Sequence, residues 1–485
     1  MTDEQNGISA HVWRISAVVM IGSIMSILDT TIVNVALATL SHKLHASISE
    51  IQWVVTGYML SLAAVIPVSG WAARRFGAKQ VYLLSLVLFT AGSALCGLAT
   101  SSTELIIFRV LQGVGGGMIL PVAQLMMADA AGPKRMGRVM SVIAVPAMLA
   151  PILGPTIGGL ILQGASWRWI FYVNVPIGVI GFIIALRMLP RVEREQVDRL
   201  DVRGLLLMAT GLPLFTYGLA EVGITGSFGS PKVIGPCLAG IALVGLFVVH
   251  ALRVPKPLLD LRLYRRPTFS SASVAMFCLG AALFGGMILL PLYWQDVRLE
   301  SVVDTGLLTA PQGLGAAIAM PFAGKLTDRI GGGPPALFGV TLCALATIPF
   351  GLIGAHTSIV WLSFAMFIRG IGIGFGFMPT MAAAFASLKR SELASATPQL
   401  NVLQRVGGSI GTAVLAVVLQ RALTGAHTLS AAAHAYGTAF WASAILAAIG
   451  IVPAYILLRA ERAARAAKGG AAEASPEALA EAIAA

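Results

Sequence analysis

The sequence predicts an all-α integral membrane protein of many spans, and three observations carry that prediction. Of its 485 residues, 57% are hydrophobic and only 11% charged, against about 25% charged in ordinary soluble domains. The mean hydropathy is +0.85. Apolar runs of about 20 residues, enough helix to cross some 30 Å of hydrocarbon, recur along the whole chain. The lipid bilayer is therefore the first expected partner. The formal net charge of +12 does not point to nucleic acid, because the basic residues cluster briefly between apolar runs, as topology determinants do. No nucleic-acid partner is expected. Cys96, Cys237, Cys278 and Cys343 lie inside apolar stretches and read as packing residues, with no disulfide framework.

Fourteen runs are expected to span: residues 15–40, 51–72, 80–100, 104–128, 139–163, 168–190, 202–221, 233–252, 268–294, 302–324, 334–355, 359–385, 400–422 and 436–458. The first is too long for a signal-peptide core, so Ala36-Leu37-Ala38 is not read as a cleavage site. Loops after even-numbered runs hold Arg74, Arg75 and Lys79; Lys134, Arg135 and Arg138; Arg187 through Arg203; Arg253 through Arg266; Lys325 and Arg329; and Lys389 and Arg390. Loops after odd-numbered runs hold only Lys43, Arg168, Lys232, Arg298 and Arg421. The positive-inside rule then places both termini in the cytoplasm, which requires an even number of spans. The expected division is a cytoplasmic tail 1–14, a six-helix bundle 15–190, a linker 191–201, two inserted helices 202–252, a linker 253–267, a second six-helix bundle 268–458 and a cytoplasmic tail 459–485. That last tail, rich in alanine and ending through Glu473, Glu477 and Glu481, reads as a frayed or surface-lying helix with disorder after Gly469.

The two halves read alike. Gly70-Trp-Ala-Ala-Arg-Arg-Phe-Gly-Ala-Lys79 follows the second run, and Gly324-Lys-Leu-Thr-Asp-Arg-Ile-Gly-Gly-Gly333 follows the tenth. Arg109 in the fourth run has a counterpart in Arg369 in the twelfth, each followed by closely spaced glycines. Two six-span halves with two spans between them give this offset, and repeated halves are the usual build of secondary transporters.

Four stretches carry a family resemblance. LDTTIVNVAL, Leu28 to Leu37, resembles the first-helix motif of the fourteen-span drug:proton antiporters of the major facilitator superfamily, the EmrB/QacA type. FRVLQGVGGG, Phe108 to Gly117, is similar to the superfamily's fourth-helix motif. Ala150-Pro-Ile-Leu-Gly-Pro-Thr-Ile-Gly-Gly159 resembles the fifth-helix motif that marks antiporters, and WRWIFYVNVPIG, Trp167 to Gly178, is similar to the family's entry to helix six. The resemblance implies a major facilitator fold of two pseudo-symmetric bundles, and proton-driven export of lipophilic small molecules across the cytoplasmic (inner) membrane by alternating access. It implies no ATP and no other cofactor. In a host with an outer membrane it also raises a periplasmic adaptor and an outer-membrane channel as partners. A dedicated exporter of a host metabolite or lipid-like molecule on the same scaffold is the alternative.

The residues support this independently. An intramembrane carboxylate or guanidinium is costly and marks a functional site by default. Desolvation favours the neutral acid and a neighbouring guanidinium favours the carboxylate, so a proton on Asp29 would respond to whether a pair with Arg109 is formed. A buried ion pair is a poor stabiliser, which favours a coupling role over a structural one. Gly154, Pro155, Gly158 and Gly159 permit close helix approach or bending. Asn34, Gln112, Gln312, Asn401, Gln404 and Arg405 are candidates to line a substrate cavity, with Trp53, Tyr58, Phe284, Tyr293 and Trp294 as aromatic candidates. No carboxylate accompanies those of the second half, so a preference for dications is not expected, and Arg369 and Arg405 leave room for anionic or neutral lipophiles. Glu221 reads as an interfacial residue at a helix end.

The repeated loops, with Gly70, Arg74, Arg75, Gly77, Gly324, Asp328 and Arg329, are expected to gate the cytoplasmic side. Here the chain departs from the family, which usually has an acidic residue where Arg74 stands and a basic one at Ala78. Arginine cannot accept the latching bond, so a latch is expected at Asp328 instead. Other chemistries lack their frame. Gly407-Gly-Ser-Ile-Gly411 lies inside an apolar run with no preceding strand. No phosphate-cradling G-x-x-x-x-G-K-[ST] occurs, and His42, His45, His427 and His434 have no convergent metal-ligand set. No enzymatic activity is expected.

Overall fold

The computed structural model describes residues 10–132, 135–190 and 199–473. The expected tail residues 1–9, Lys134, the linker stretch 191–198 and the final residues 474–485, with Glu477 and Glu481, lie outside the described residues, as do the side chains of 142–152, Pro155 and a few helix-end positions.

In chain order the helices are α1 (Ala10–Lys43), α2 (Ile48–Val65), α3 (Ser69–Phe76), α4 (Ala78–Leu98), α5 (Ser102–Ala131), α6 (Met136–Gly164), α7 (Trp169–Tyr172), α8 (Asn174–Met188), α9 (Val202–Thr225), α10 (Pro231–Arg253), α11 (Pro267–Asp296), α12 (Val302–Ile330), α13 (Gly333–Gly351), α14 (Ile359–Ala386), α15 (Leu393–Leu423), α16 (Leu429–Ile449) and α17 (Ile451–Glu473). No strand occurs among the described residues. Twelve helical segments among them are long and apolar enough to cross a membrane. The remaining two expected runs are α6 and α12, 29 residues each, which fall outside those twelve. They nonetheless lie along one another, from Gly137 against Gly324 at one end to Gly159 against Val303 at the other.

Local chemistry sets the ends. Ser47, Ser101, Ser301 and Thr428 each accept a backbone N–H three residues on, capping α2, α5, α12 and α16. The expected run 51–72 is broken by a 3-10 turn at Ile66–Val68, where Pro67 removes a backbone donor. The two repeated loops end their helices alike, Gly77 at φ 92° and Gly331 at φ 94°, a conformation glycine adopts without strain. At the carboxyl-terminal end residues 459–473 continue α17 as helix, and Glu461 accepts the N–H groups of Gly332 (3.1 Å) and Gly333 (2.6 Å), tying that helix to the loop after α12.

In the first half α1 packs on α6 and α8, α2 on α5, and α4 on α5 and α8; in the second, α11 packs on α15, α12 on α14, and α13 on α14 and α16. The inserted pair α9 and α10 pack on each other, and α9 reaches both halves. Tyr217 stacks on Trp53 of α2 at 5.4 Å, and Leu219 and Val222 join Ala413 and Val417 of α15. The halves also meet directly at the end that bears the basic loops. There α2 reaches α15 through its continuation, the 3-10 turn and α3.

Candidate functional site

Asp29 lies in the middle of α1, fully buried, and is surrounded by donors from two other helices, α5 and α8. Arg109 Nη1 sits 2.6 Å from its Oδ2. Gln112 Nε2 and Asn174 Nδ2 both donate to its Oδ1, each at 2.9 Å. These donors are themselves held. Arg109 donates through Nη1 to Gln112 Oε1 at 2.8 Å and through Nε to the Val54 carbonyl at 3.1 Å, and its guanidinium lies 4.0 Å from the centre of the Tyr58 ring. Such a cation over an aromatic face replaces part of the lost hydration. Asn174 donates also to Ser93 Oγ at 3.1 Å, and Ser93 donates to the Phe171 carbonyl at 2.9 Å. The Oδ1 of Asn174 is buried with no partner among the described residues.

The glycines explain why these helices come close enough. A Cβ at Gly92 of α4 would fall 2.7 Å from Gln112 Cα, and one at Gly113 would fall 2.7 Å from the Tyr58 carbonyl. Gly116 and Gly117 likewise face α2, whereas Gly115 faces α4 at Phe89. The glycine run therefore seats α5 against two neighbours, not along a single face.

Asp29 is the one carboxylate at this depth among the described residues. Every other Asp or Glu lies within about one turn of a helix end, in a connection, or, for Glu461, on α17 beside Gly332 and Gly333.

The cavity candidates separate. Gln112 is fully buried and spends its amide on Asp29 and Arg109, so it belongs to the carboxylate network and not to a cavity wall. Asn401 is buried too, donating to Gln124 Oε1 of α5 at 2.6 Å and to the Thr397 carbonyl, which makes it a contact between the halves. Gln312 is engaged by Arg369, whose Nη1 donates to its Oε1 at 2.9 Å. Asn34 is exposed and shares a helix face with Ser26 and Thr30. Gln404 and Arg405 are half-buried on α15. Among the aromatics, Tyr293 and Trp294 are fully buried in a cluster at the far end of the second half, Trp53 faces α9, and Phe284 packs near Gly408. None of these four is placed with Asp29, whereas Tyr58 is.

In α6, Gly154 faces Thr31 and Gly158 faces Ile32 of α1, while Gly159 faces Val303 of α12. The side chain of Pro155 lies outside the described residues. At the basic end Asp328 accepts the N–H of Gly137 at 2.8 Å and pairs with Arg138 at 3.1 Å. Arg74 is half-buried with its Nε unpartnered, and Arg75 and Arg329 are exposed. The opposing loop makes its contact through Gly70, where a Cβ would lie 1.8 Å from the Ala394 carbonyl oxygen of α15. Arg390 and Asp129 form a further ion pair across the same seam. Sequence reasoning missed Asn174 as a partner of Asp29. Its only signal was an amide set at the start of an apolar run, one residue after the break between α7 and α8.

The site is thus a buried carboxylate held by one cation and two amides, wholly inside the first helical half. The sequence profile described as Major Facilitator Superfamily matches residues 19–412. The chain belongs to the major facilitator superfamily. It is a multi-pass membrane transporter and not an enzyme. Among its relatives in this superfamily, the multidrug resistance protein B homolog of Mycobacterium tuberculosis is 40% identical over 84% of this chain and 76% of its own length. The multidrug transporter protein MdtP of Bacillus subtilis is 30% identical over 82% and 74%. The solved structure of the proton:xylose symporter XylE, 14% identical, superposes with a TM-score of 0.63 over 92% of this chain and 95% of that one, a likeness of fold.

Proposed function

We propose that this major facilitator protein is a proton-coupled exporter of amphipathic organic compounds, an antiporter of fourteen spans with both termini in the cytoplasm and its place in the cytoplasmic membrane. The observation that carries the reading is the buried set of Asp29, Arg109, Gln112 and Asn174. Asp29 is the proton carrier. Ionised, it accepts three charge-assisted bonds. Protonated, it releases one acceptor position, and rotation of the Asn174 amide presents its free Oδ1 to the new O–H. Arg109 governs release, since moving it away favours the neutral acid and bringing it back expels the proton. The multidrug names of the relatives support the substrate class. α6 and α12 complete the count of spans, and the contacts at Gly70, Asp328 and Asn401 close the cytoplasmic side in this conformation.

One proton crossing about 100 mV supplies roughly 2.3 kcal/mol, or about fifty-fold concentration of a neutral solute. The test is substrate-stimulated proton flux in proteoliposomes, with wild type beside Asp29→Asn. Loss of coupled flux with retained substrate binding is expected. Unchanged coupling in the mutant refutes the role of Asp29.

A further inference from the structure

Among the described residues, three guanidinium groups, Arg109, Arg369 and Arg405, stand at the depth of the bilayer interior against one carboxylate, Asp29. The undescribed side chains of α6, residues 142–152, include no acid that could balance them. Asp29 is already occupied by Arg109, so two positive charges stand in excess. Arg369 is fully buried, donating to Gln312 Oε1 and, at 3.2 Å, to the Ala282 carbonyl, with its Nε unpartnered. Its Nη2 fills the space that a Cβ at Gly286 would take.

Arg405 is different. It is half-buried, has no hydrogen bond or ion pair among the described residues, and lies within electrostatic reach of Tyr58 of the opposite half. A cation without a counter-ion held out of bulk water is costly, and Arg405, half-buried and without a partner among the described residues, is a site that a negative charge completes.

We propose that the transported compound is an amphipathic anion whose acidic group is received by Arg405, with Arg369 adding to the positive potential. The inference rests on the export reading and narrows its substrate class. Guanidinium suits the role because its planar fork binds a carboxylate, sulfonate or phosphate through two parallel bonds. Tyr58, whose ring lies beneath Arg109, is within electrostatic reach of Arg405, which links the anion site to the side of the first half that holds Asp29.

The test uses a radiolabelled naphthyl series of matched size bearing a sulfonate, a carboxamide or a trimethylammonium head. Binding is measured on the purified full-length protein, and proton movement in proteoliposomes. Wild type should bind the sulfonate at least about tenfold more tightly than the other two, the range of one charge-assisted bond. Arg405→Gln should lose about that factor for the sulfonate and less than about twofold for the carboxamide, while Arg405→Lys keeps part of the preference.

Equal binding of the three heads, preference for the trimethylammonium, absent sulfonate binding, or equal losses on all heads in Arg405→Gln would each overturn the proposal. Should Arg405→Gln not fold, wild-type selectivity and Arg405→Lys decide it. Anion-selective binding without proton movement for any head leaves the anion site standing and removes the export reading. Proton-coupled movement of the carboxamide or trimethylammonium compound alone does the reverse.

Discussion

Gly70→Ala offers a sharp test of the closed basic end. The added Cβ would stand 1.8 Å from the Ala394 carbonyl oxygen, 2.8 Å from its carbon and 3.2 Å from Pro398 Cγ. The first two are backbone atoms of α15 and cannot rotate away, so α3 and α15 must part by more than about 1 Å to restore ordinary contact. Overpacking of this kind costs about 1–3 kcal/mol. The contact joins the two halves, so the cost falls only on conformations closed at this end and is relieved once the halves separate. A bias of that size moves the open-to-closed ratio by roughly 5–150-fold. Spin labels on the exposed positions Arg75 and Lys389 would report the distance between the halves by electron double resonance. The expected result is a growing long-distance population in Gly70→Ala, with little change in thermal stability. An unchanged distance distribution would falsify the claim that Gly70 sets the approach of the halves.

Three further outcomes follow from other contacts. Asn174→Leu keeps the volume but removes one charge-assisted bond to Asp29, worth about 1.5–3 kcal/mol; substrate-driven proton flux should fall by at least about tenfold, with binding affinity little altered, and wild-type flux would show that Asn174 is a bystander. Asp328→Ala removes the bond to Gly137 and the pair with Arg138, a loss of about 1–2 kcal/mol from the closed basic end; thiol labelling of a cysteine placed at Ser141, buried at this seam beside Gly324, should speed up, and protection equal to that with Asp328 intact would count against the latch. Asp201, in the connection before α9, is subject to partial burial, which works to raise its carboxyl, but the N–H groups of Gly204 and Leu258 and the His250 ring hold it below the usual value of 3.8. Its contribution to stability is therefore fully present above that value and is lost as pH falls through the lowered folded-state value. Asp201→Asn should melt below wild type near neutrality and converge with it in strong acid, and a constant gap across that range would contradict the assignment.

The sequence disclosed what periodicity and cost can disclose. Asp29 and Arg109 stood out because charge inside a long apolar run is expensive, and Gly70 and Gly324 because their loops repeat. That Arg109 meets Asp29 is a fact about helices 80 positions apart in sequence, and no local pattern encodes it. Gln112 and Asn401 illustrate the same limit. An amide in an apolar helix signals that it needs a partner, but whether that partner is a carboxylate, a facing glutamine or a solute depends on the neighbouring helix. Tyr293 and Trp294 fit an aromatic cavity wall equally well until the packing of α11 against α16 buries them. The docking of the helix from residue 459 was hidden because its anchor, Glu461 on two loop N–H groups, is a tertiary contact.

If Asp29, the one carboxylate at membrane depth among the described residues, carries the proton as proposed, it also fixes the electrical accounting of the cycle. With one exchangeable proton at Asp29, export of a monovalent cation would be electrically silent and would draw only on the pH gradient. Export of a neutral solute would carry one charge inward. Export of a monoanion would carry two, worth about 4.6 kcal/mol per 100 mV, roughly a 2,500-fold concentration ratio. For such a cargo voltage is the main power supply, so transport would survive nigericin, which collapses the pH gradient, and fail with valinomycin in high potassium.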